Sequence, residues 1–196
     1  MPHWLARSWR KRGLVACLLW PLSLVYRVLS WLHHGLYRAG ILKTEHQNLA
    51  ANQMMELNKV GQALGELSAV TALTDVTGFG LLGHLTEMAE GSNLSAVINF
   101  DAVPIITPEI YDYIQQGAIP GGTTRNRESY EHKIGSLTAS QWAILADPQT
   151  SGGLLVSVNP NQTEQFIEVL KKYDLQNFTT PIGYFTKKGL KVVSVK

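Results

Sequence analysis

The charge pattern of this chain breaks once, near Leu42-Lys43, and the break limits what can fold as a single body. Residues 1–43 carry seven Lys/Arg and no acidic side chain, and the first carboxylate is Glu45. The remaining ten basic and fifteen acidic side chains fall in residues 44–196, a net of about −5 that the whole-chain value of +2 conceals. Four of the five tryptophans and the single cysteine, Cys17, also lie in the first 31 positions. Two compositions share one chain. The domain organisation expected from this is a basic leader over 1–43 and a globular body over 44–196, long enough to bury a core of its own. With one cysteine no internal disulfide can form, which suits a reducing compartment.

The leader has one helical stripe. Leu14, Leu18, Leu22, Val25, Leu29, Leu32 and Leu36 recur at three- and four-residue spacings, while Ser23, Arg27, Ser30, His34 and Arg38 share another face. Pro21 is expected to kink this helix or to open its second piece. The uncharged run from Gly13 to Tyr26 is about 14 residues, short of the roughly 20 that span a bilayer. An interfacial helix fits better, with leucines toward the acyl chains, tryptophans at the headgroups and Arg10-Lys11-Arg12 drawn to anionic lipid. The alternatives are packing against a partner protein and a processed signal segment, although no small-x-small cleavage site follows the apolar run. Trp20-Pro21-Leu22-Ser23-Leu24-Val25-Tyr26-Arg27 and Leu36-Tyr37-Arg38-Ala39-Gly40-Ile41-Leu42-Lys43 resemble the membrane-associated N-terminus of tetraacyldisaccharide 4′-kinase. No Gly-x-x-x-x-Gly-Lys-Ser/Thr phosphate loop follows, so that kinase activity is not implied.

In the body, helices and strands alternate. Thr44 and Gln47 have capping-box spacing, and a helix is predicted from Thr44 to about Leu67 with a core stripe of Leu49, Met54, Leu57, Val60 and Leu64. Strands are predicted at Val70–Thr74, Leu94–Phe100 and Leu154–Val158. Helices are predicted at Phe79–Glu90 (closed by Gly91), Pro108–Gln116 (closed by Gly117), Ser140–Leu145 and Pro160–Tyr173, the last with Phe166, Val169 and Leu170 inward. Pro181–Thr186 and Leu190–Val195 read as a closing hairpin across Lys187-Lys188-Gly189. The fold class is α/β, in the α+β sense: a mixed sheet with flanking helices, preceded by an amphipathic helix. No internal repeat is present.

Three glycine-bearing strings carry the chemistry. The first is Ala72-Leu73-Thr74-Asp75-Val76-Thr77-Gly78-Phe79-Gly80-Leu81-Leu82-Gly83-His84, which sets one carboxylate between a strand and a helix start. The second is Pro120-Gly121-Gly122-Thr123-Thr124-Arg125-Asn126, read as a loop whose amides, Thr123 hydroxyl and Arg125 guanidinium cradle an anion, against an ordinary surface turn. The third is Asp147-Pro148-Gln149-Thr150-Ser151-Gly152-Gly153-Leu154-Leu155, expected to be structural or to line a cleft. Taken as residues alone, Asp75 is better suited to capping the next helix or its own turn than to holding a metal. His84 and Glu87 share a helix face; two ligands do not make a metal site, and a surface hydrogen bond suits them better. Gly78, Gly80 and Gly83 have Gly-x-Gly-x-x-Gly spacing, but no acidic residue follows where a dinucleotide ribose needs one, so that reading is rejected.

Together the three strings, within residues 41–196, resemble the C-terminal half of selenophosphate synthetase (selenide, water dikinase). The resemblance implies the C-terminal domain of the aminoimidazole-ribonucleotide-synthetase-like fold, ATP and selenide as substrates, Mg2+ as cofactor, and selenophosphate, AMP and phosphate as products. It makes Asp75 a magnesium ligand and Thr123 and Arg125 parts of an anion or phosphate site, with no catalytic residue assigned. The family's reactive cysteine or selenocysteine, its lysine and its other metal aspartates belong to an N-terminal domain. Nothing resembling that domain precedes residue 44, and Cys17 sits in the apolar leader. The expectation is therefore an incomplete chain, inactive alone, with a separate N-terminal domain as partner. The competing expectation is a non-catalytic module tethered to a membrane surface through residues 1–43. Either way the location expected is the cytoplasm, peripheral to the inner membrane if the leader binds it, and no nucleic-acid partner is expected.

Overall fold

A computed structural model describes residues 44–196. The leader helix, its kink at Pro21 and its membrane face lie outside the described residues. Among those described, no helix is long and apolar enough to cross a membrane. Beyond the first residues of helix α1, the described fold belongs to the compact unit Leu49–Lys196.

The chain runs α1 (Thr44–Met55), α2 (Val60–Gly65), β1 (Val70–Asp75), α3 (Gly80–Gly91), β2 (Leu94–Ile98), α4 (Ile110–Gln115), α5 (Gly121–Tyr130), α6 (Ala139–Leu145), β3 (Leu154–Val158), α7 (Thr163–Lys172), β4 (Gly183–Lys187) and β5 (Val193–Val195). β1 and β3 form an antiparallel ribbon with Asp75 opposite Leu154 and an irregularity between Val70 and Ala72. The other three strands form a mixed sheet in the order β4-β2-β5, antiparallel on one side of β2 and parallel on the other. This is the expected α/β class of fold.

Two apolar clusters hold it. The larger sits between the mixed sheet and helices α3, α5 and α6, with Leu82, Ile98, Leu145 and Val193 essentially sealed from water. The smaller joins α2 and α7 to the ribbon through Val60, Leu64 and Leu170, with Val70, Leu154, Val156, Phe166 and Val169 against them. Phe166, Val169 and Leu170 therefore face inward as their spacing requires. Local signals set several boundaries. Thr138 and Gln141 form a reciprocal capping box at the start of α6, a device of about 1 kcal/mol. Gly117 closes the α4 turn with φ +77°.

Four expectations are corrected. The predicted helix from Thr44 to Leu67 is two helices, broken at Glu56–Lys59, and Leu49, Met54 and Leu57 are exposed, leaving only Val60 and Leu64 in the core. An unburied stripe gives a helix little reason to continue, and the next one starts afresh where the Asn58 carbonyl accepts from Gly61 N–H (2.9 Å). The closing hairpin does not form, because β2 lies between β4 and β5. Ser95, Ala96 and Ile98 are all buried, so β2 is covered on both faces and takes the central place. The connection is fastened to β2 by the Ser95 hydroxyl, which accepts from Gly189 N–H (2.9 Å) and donates to Lys191 O (2.8 Å). The left-handed residue after α3 is Asn93 (φ 55°), two positions beyond Gly91, the residue expected to close that helix. Finally, the segment Gly121–Asn126 is not a loop but the first turns of α5.

Candidate functional site

The three glycine-bearing strings, which begin at Ala72, Pro120 and Asp147, meet at one end of the β1–β3 ribbon. Past Asp75 the ladder continues through Val76, whose N–H donates to Gly153 O (2.9 Å) and whose carbonyl accepts from Gly152 N–H (2.9 Å). Thr77 O accepts from Gln149 N–H (3.0 Å) and from Gly80 N–H (2.9 Å). Gly80 adopts φ +67°, and a Cβ there would lie 2.8 Å from both Ala146 C and Asp147 O. Only glycine lets the start of α3 press against the end of α6. Gly152 is equally constrained: a Cβ would stand 2.8 Å from Val76 O.

Asn126 fastens the three strings together. Its side chain is buried, and its Nδ2 donates to Gly78 O (2.8 Å) and to Ala146 O (2.9 Å). One turn on, the Tyr130 hydroxyl donates to Phe79 O (2.9 Å), and burial pushes its phenol far above the ordinary range. These two residues were missed as functional positions. The signal existed: Thr123, Asn126 and Tyr130 are the buried residues of α5, spaced three and four apart, but the stripe is polar and an apolar-periodicity search passes over it.

Asp75 ends β1 on its exposed face, alongside Thr71 and Leu73. Among the described residues no hydrogen bond or ion pair holds its carboxylate. The cap it was weighed for does not form, because α3 begins after Phe79 with no side-chain cap. A lone, exposed, unpartnered carboxylate on a rigid strand end matches the donor set of a magnesium ion shared with phosphate oxygens and water, and not of an all-protein cage. No group of three or more His, Cys, Asp or Glu among the described residues could hold a metal ion.

Thr123 and Arg125 belong to the opening turns of α5. The Thr123 side chain is buried and its hydroxyl donates to Asp147 Oδ1 (3.2 Å), while its N–H bonds Pro120 O (3.0 Å). Arg125 is exposed and turns back over the helix start, with its Nη1 3.5 Å from where a Gly121 Cβ would be. A cation folded onto the positive end of a helix is unfavourable alone and becomes favourable beside an anion. Both carboxylate oxygens of Asp147 are engaged: Oδ1 accepts from Thr123 and Oδ2 from Gln149 Nε2 (2.8 Å). Burial raises its carboxyl above the usual range, and these two hydrogen bonds oppose the rise.

His84 is not the surface residue expected. It is buried, its Nε2 accepts from Thr77 N–H (3.1 Å) and also meets the Thr77 hydroxyl (3.2 Å), and its Nδ1 lies 3.4 Å from Glu87 Oε2. The Gly-x-Gly-x-x-Gly spacing serves packing, with a Cβ on Gly83 falling 2.5 Å from Phe79 Cβ. A cleft of about 180 Å3 opens elsewhere, walled by Asn93, Ser95 and Lys188. Its polar groups bond one another, as Lys188 Nζ does Asn93 Oδ1 at 3.1 Å, and it brings no reactive set together.

Strand ribbon, mixed sheet and a glycine-locked junction between them define a class. Residues 30–196 match the family described as AIR synthase related protein, C-terminal domain, and the chain belongs to that family. The match begins ahead of the composition break at residues 42–43.

Within that class, the chain is similar to selenide, water dikinases. The chain is 56% identical over 134 residues to the selenide, water dikinase of Haemophilus influenzae (strain 86-028NP), covering 68% of this chain and 38% of the relative. It is 52% identical over 130 residues to that of Photobacterium profundum (66% and 37%). It is 47% identical over 154 residues to that of Pseudomonas putida (79% and 44%). These residues form a selenophosphate synthetase C-terminal region, as the three strings imply. The chain spans about two fifths of the length of the curated relatives it matches.

Proposed function

We propose that this chain supplies the C-terminal half of a selenide, water dikinase site, which converts ATP, selenide and water to selenophosphate, AMP and phosphate. The observation that carries the reading is the meeting of the three strings at the turn that follows Asp75, an unpartnered carboxylate at the end of β1. In this reading Asp75 holds magnesium, which when bound neutralises phosphate charge. Arg125 and the free amides at the start of α5 take a phosphate. Thr123 supports that turn through Asp147 and does not donate to the anion, since its hydroxyl and amide protons are already committed.

One carboxylate and one guanidinium position a nucleotide poorly by themselves. These residues by themselves are therefore proposed to bind Mg-ATP weakly and to turn over nothing until the other ligands of the site are supplied. A cytoplasmic setting suits such an ATP-consuming enzyme. The basic, tryptophan-rich composition of residues 1–43 favours one further possibility for the whole chain, attachment to an anionic membrane surface.

Titration of Mg-ATP into the purified chain, followed by 31P line width, tests the half-site. Broadening is expected that Asp75→Asn and Arg125→Ala each reduce several-fold. Equal broadening in all three proteins would reject both assignments.

A further inference from the structure

Thr77 is the residue on which the Asp75 turn hangs. Its carbonyl is tied to Gln149 and Gly80 N–H, and its own N–H ends on the Nε2 of His84. Backbone groups of a tight turn are usually satisfied by other backbone or by water. Here a buried imidazole from the second turn of α3 does it, across seven residues.

This bond fixes the ring's state. An N–H donor at 3.1 Å requires a lone pair on Nε2, so the ring proton must be on Nδ1. Nδ1 lies 3.4 Å from Oε2 of Glu87, an exposed carboxylate with no other bond among the described residues. Glu87 selects the tautomer, His84 presents the lone pair, and Thr77 is held two residues from Asp75. A carboxylate orienting an imidazole that orients a ligand-bearing segment is the arrangement of groups that support metal ligands without touching the metal. Gly83 packs on Phe79 and Tyr130 at the helix side of the same turn, and the imidazole itself stands tilted against the Phe79 ring with 5.8 Å between centroids.

We infer that His84, as the neutral Nδ1–H tautomer set by Glu87, is a positioning residue that holds the Thr77 turn and thereby aims the Asp75 carboxylate at its magnesium. The inference rests on the assignment of Asp75 made above. It separates His84 from the metal-ligand role that His-rich sites suggest: the imidazole has no lone pair left for a metal. It also gives Glu87 a task at a distance from any substrate.

The experiment is NMR on the full chain with Mn-ATP as probe. In the free protein, a hydrogen-bond coupling is expected between Thr77 N and His84 Nε2, with the proton on Nδ1. On adding Mn-ATP, paramagnetic broadening is expected at the amides of Val76, Thr77 and Gly78, abolished in Asp75→Asn. His84→Leu should weaken Mn-ATP binding about ten-fold, the size typical of lost support behind a ligand. His84→Gln, whose Oε1 can accept from Thr77 N–H, should recover most of it, and Glu87→Gln should fall between. The Nε2–H tautomer in the free protein would overturn the inference without any variant, which covers the case where His84→Leu does not fold. Undiminished broadening in folded His84→Leu, with loss in Asp75→Asn, would overturn the positioning role and leave Asp75 as ligand. No broadening near Asp75 in the unaltered chain would overturn the Asp75 assignment and this inference with it.

Discussion

The mixed sheet and the β1–β3 ribbon are built to different standards. The cluster under the sheet has thirteen buried members, from β2, β5, α3, α5, α6 and their flanks with one, Leu155, from the ribbon, whereas the cluster behind the ribbon has three. β2 is covered on both faces, but every other residue of β1 is open to water. The Val76–Gly153, Gly152–Val76 and Gln149–Thr77 bonds extend the ribbon at one end, and Asn126, Tyr130 and His84 tie the turn beyond it to helices α5 and α3 of the larger core. Asp75 lies at that locked end. A carboxylate that must meet a ligand needs an exposed face and a fixed backbone, and the junction of a thinly covered ribbon with a densely packed core supplies both.

The sharpest way to break the comparison is at the junction. Gly80→Ala forces a β-carbon onto Ala146 and Asp147 backbone at a left-handed φ and is expected to cost about 3–5 kcal/mol, read as a lowered urea midpoint or as insoluble expression. Next come the two cores. Leu82→Ala and Leu64→Ala each empty a sealed site and should cost about 2–5 kcal/mol. Hydrogen exchange separates them: Leu82→Ala should raise exchange throughout, and Leu64→Ala mainly in α2, α7 and the ribbon. Equal, global effects would mean the ribbon is no weaker than the sheet. Asn126→Ala leaves Gly78 O and Ala146 O without their donor, an expected loss of about 1–3 kcal/mol. Mn-ATP broadening near Asp75 should weaken with it.

The smallest effect is a pH dependence at Asp147. Its folded carboxyl lies above the ordinary 3.8, so the protonated form is the one the fold favours. Its contribution is fully present below that ordinary value and is lost as pH rises through the raised one. Urea midpoints measured upward from about that pH should therefore fall slightly more for the unaltered chain than for Asp147→Asn, whose side chain cannot ionise. Identical profiles would remove the effect.

Legibility followed the same division. Where apolar periodicity matched burial, as in β2, β3, α3 and α7, the elements were readable within a few residues. It failed on α1, whose stripe has the right spacing and no surface to cover, since spacing reports a face and not a partner. It failed on α5, where the buried stripe is Thr123, Asn126 and Tyr130, and two glycines and a proline at the start read as a turn. The β4–β5 hairpin was the default for neighbouring strands. Only the burial of both faces of β2 decides otherwise, and that is a tertiary property. For the site, glycine spacing marked the three strings but not their meeting. Gly80 and Gly152 are explained by backbone atoms of partners 66 and 76 residues away in sequence, and His84 by a turn that exists only once they pack.

The account's central claim is that this chain carries half of a dikinase site centred on Asp75. Phosphorus NMR of the chain with ATP, magnesium and selenide, under reducing and anaerobic conditions, tests it most directly when run with and without an added N-terminal half of a selenide, water dikinase. A selenophosphate signal is expected only with the added half, and lost in Asp75→Asn. A signal from the chain alone, or one from the pair that survives Asp75→Asn, would contradict the claim.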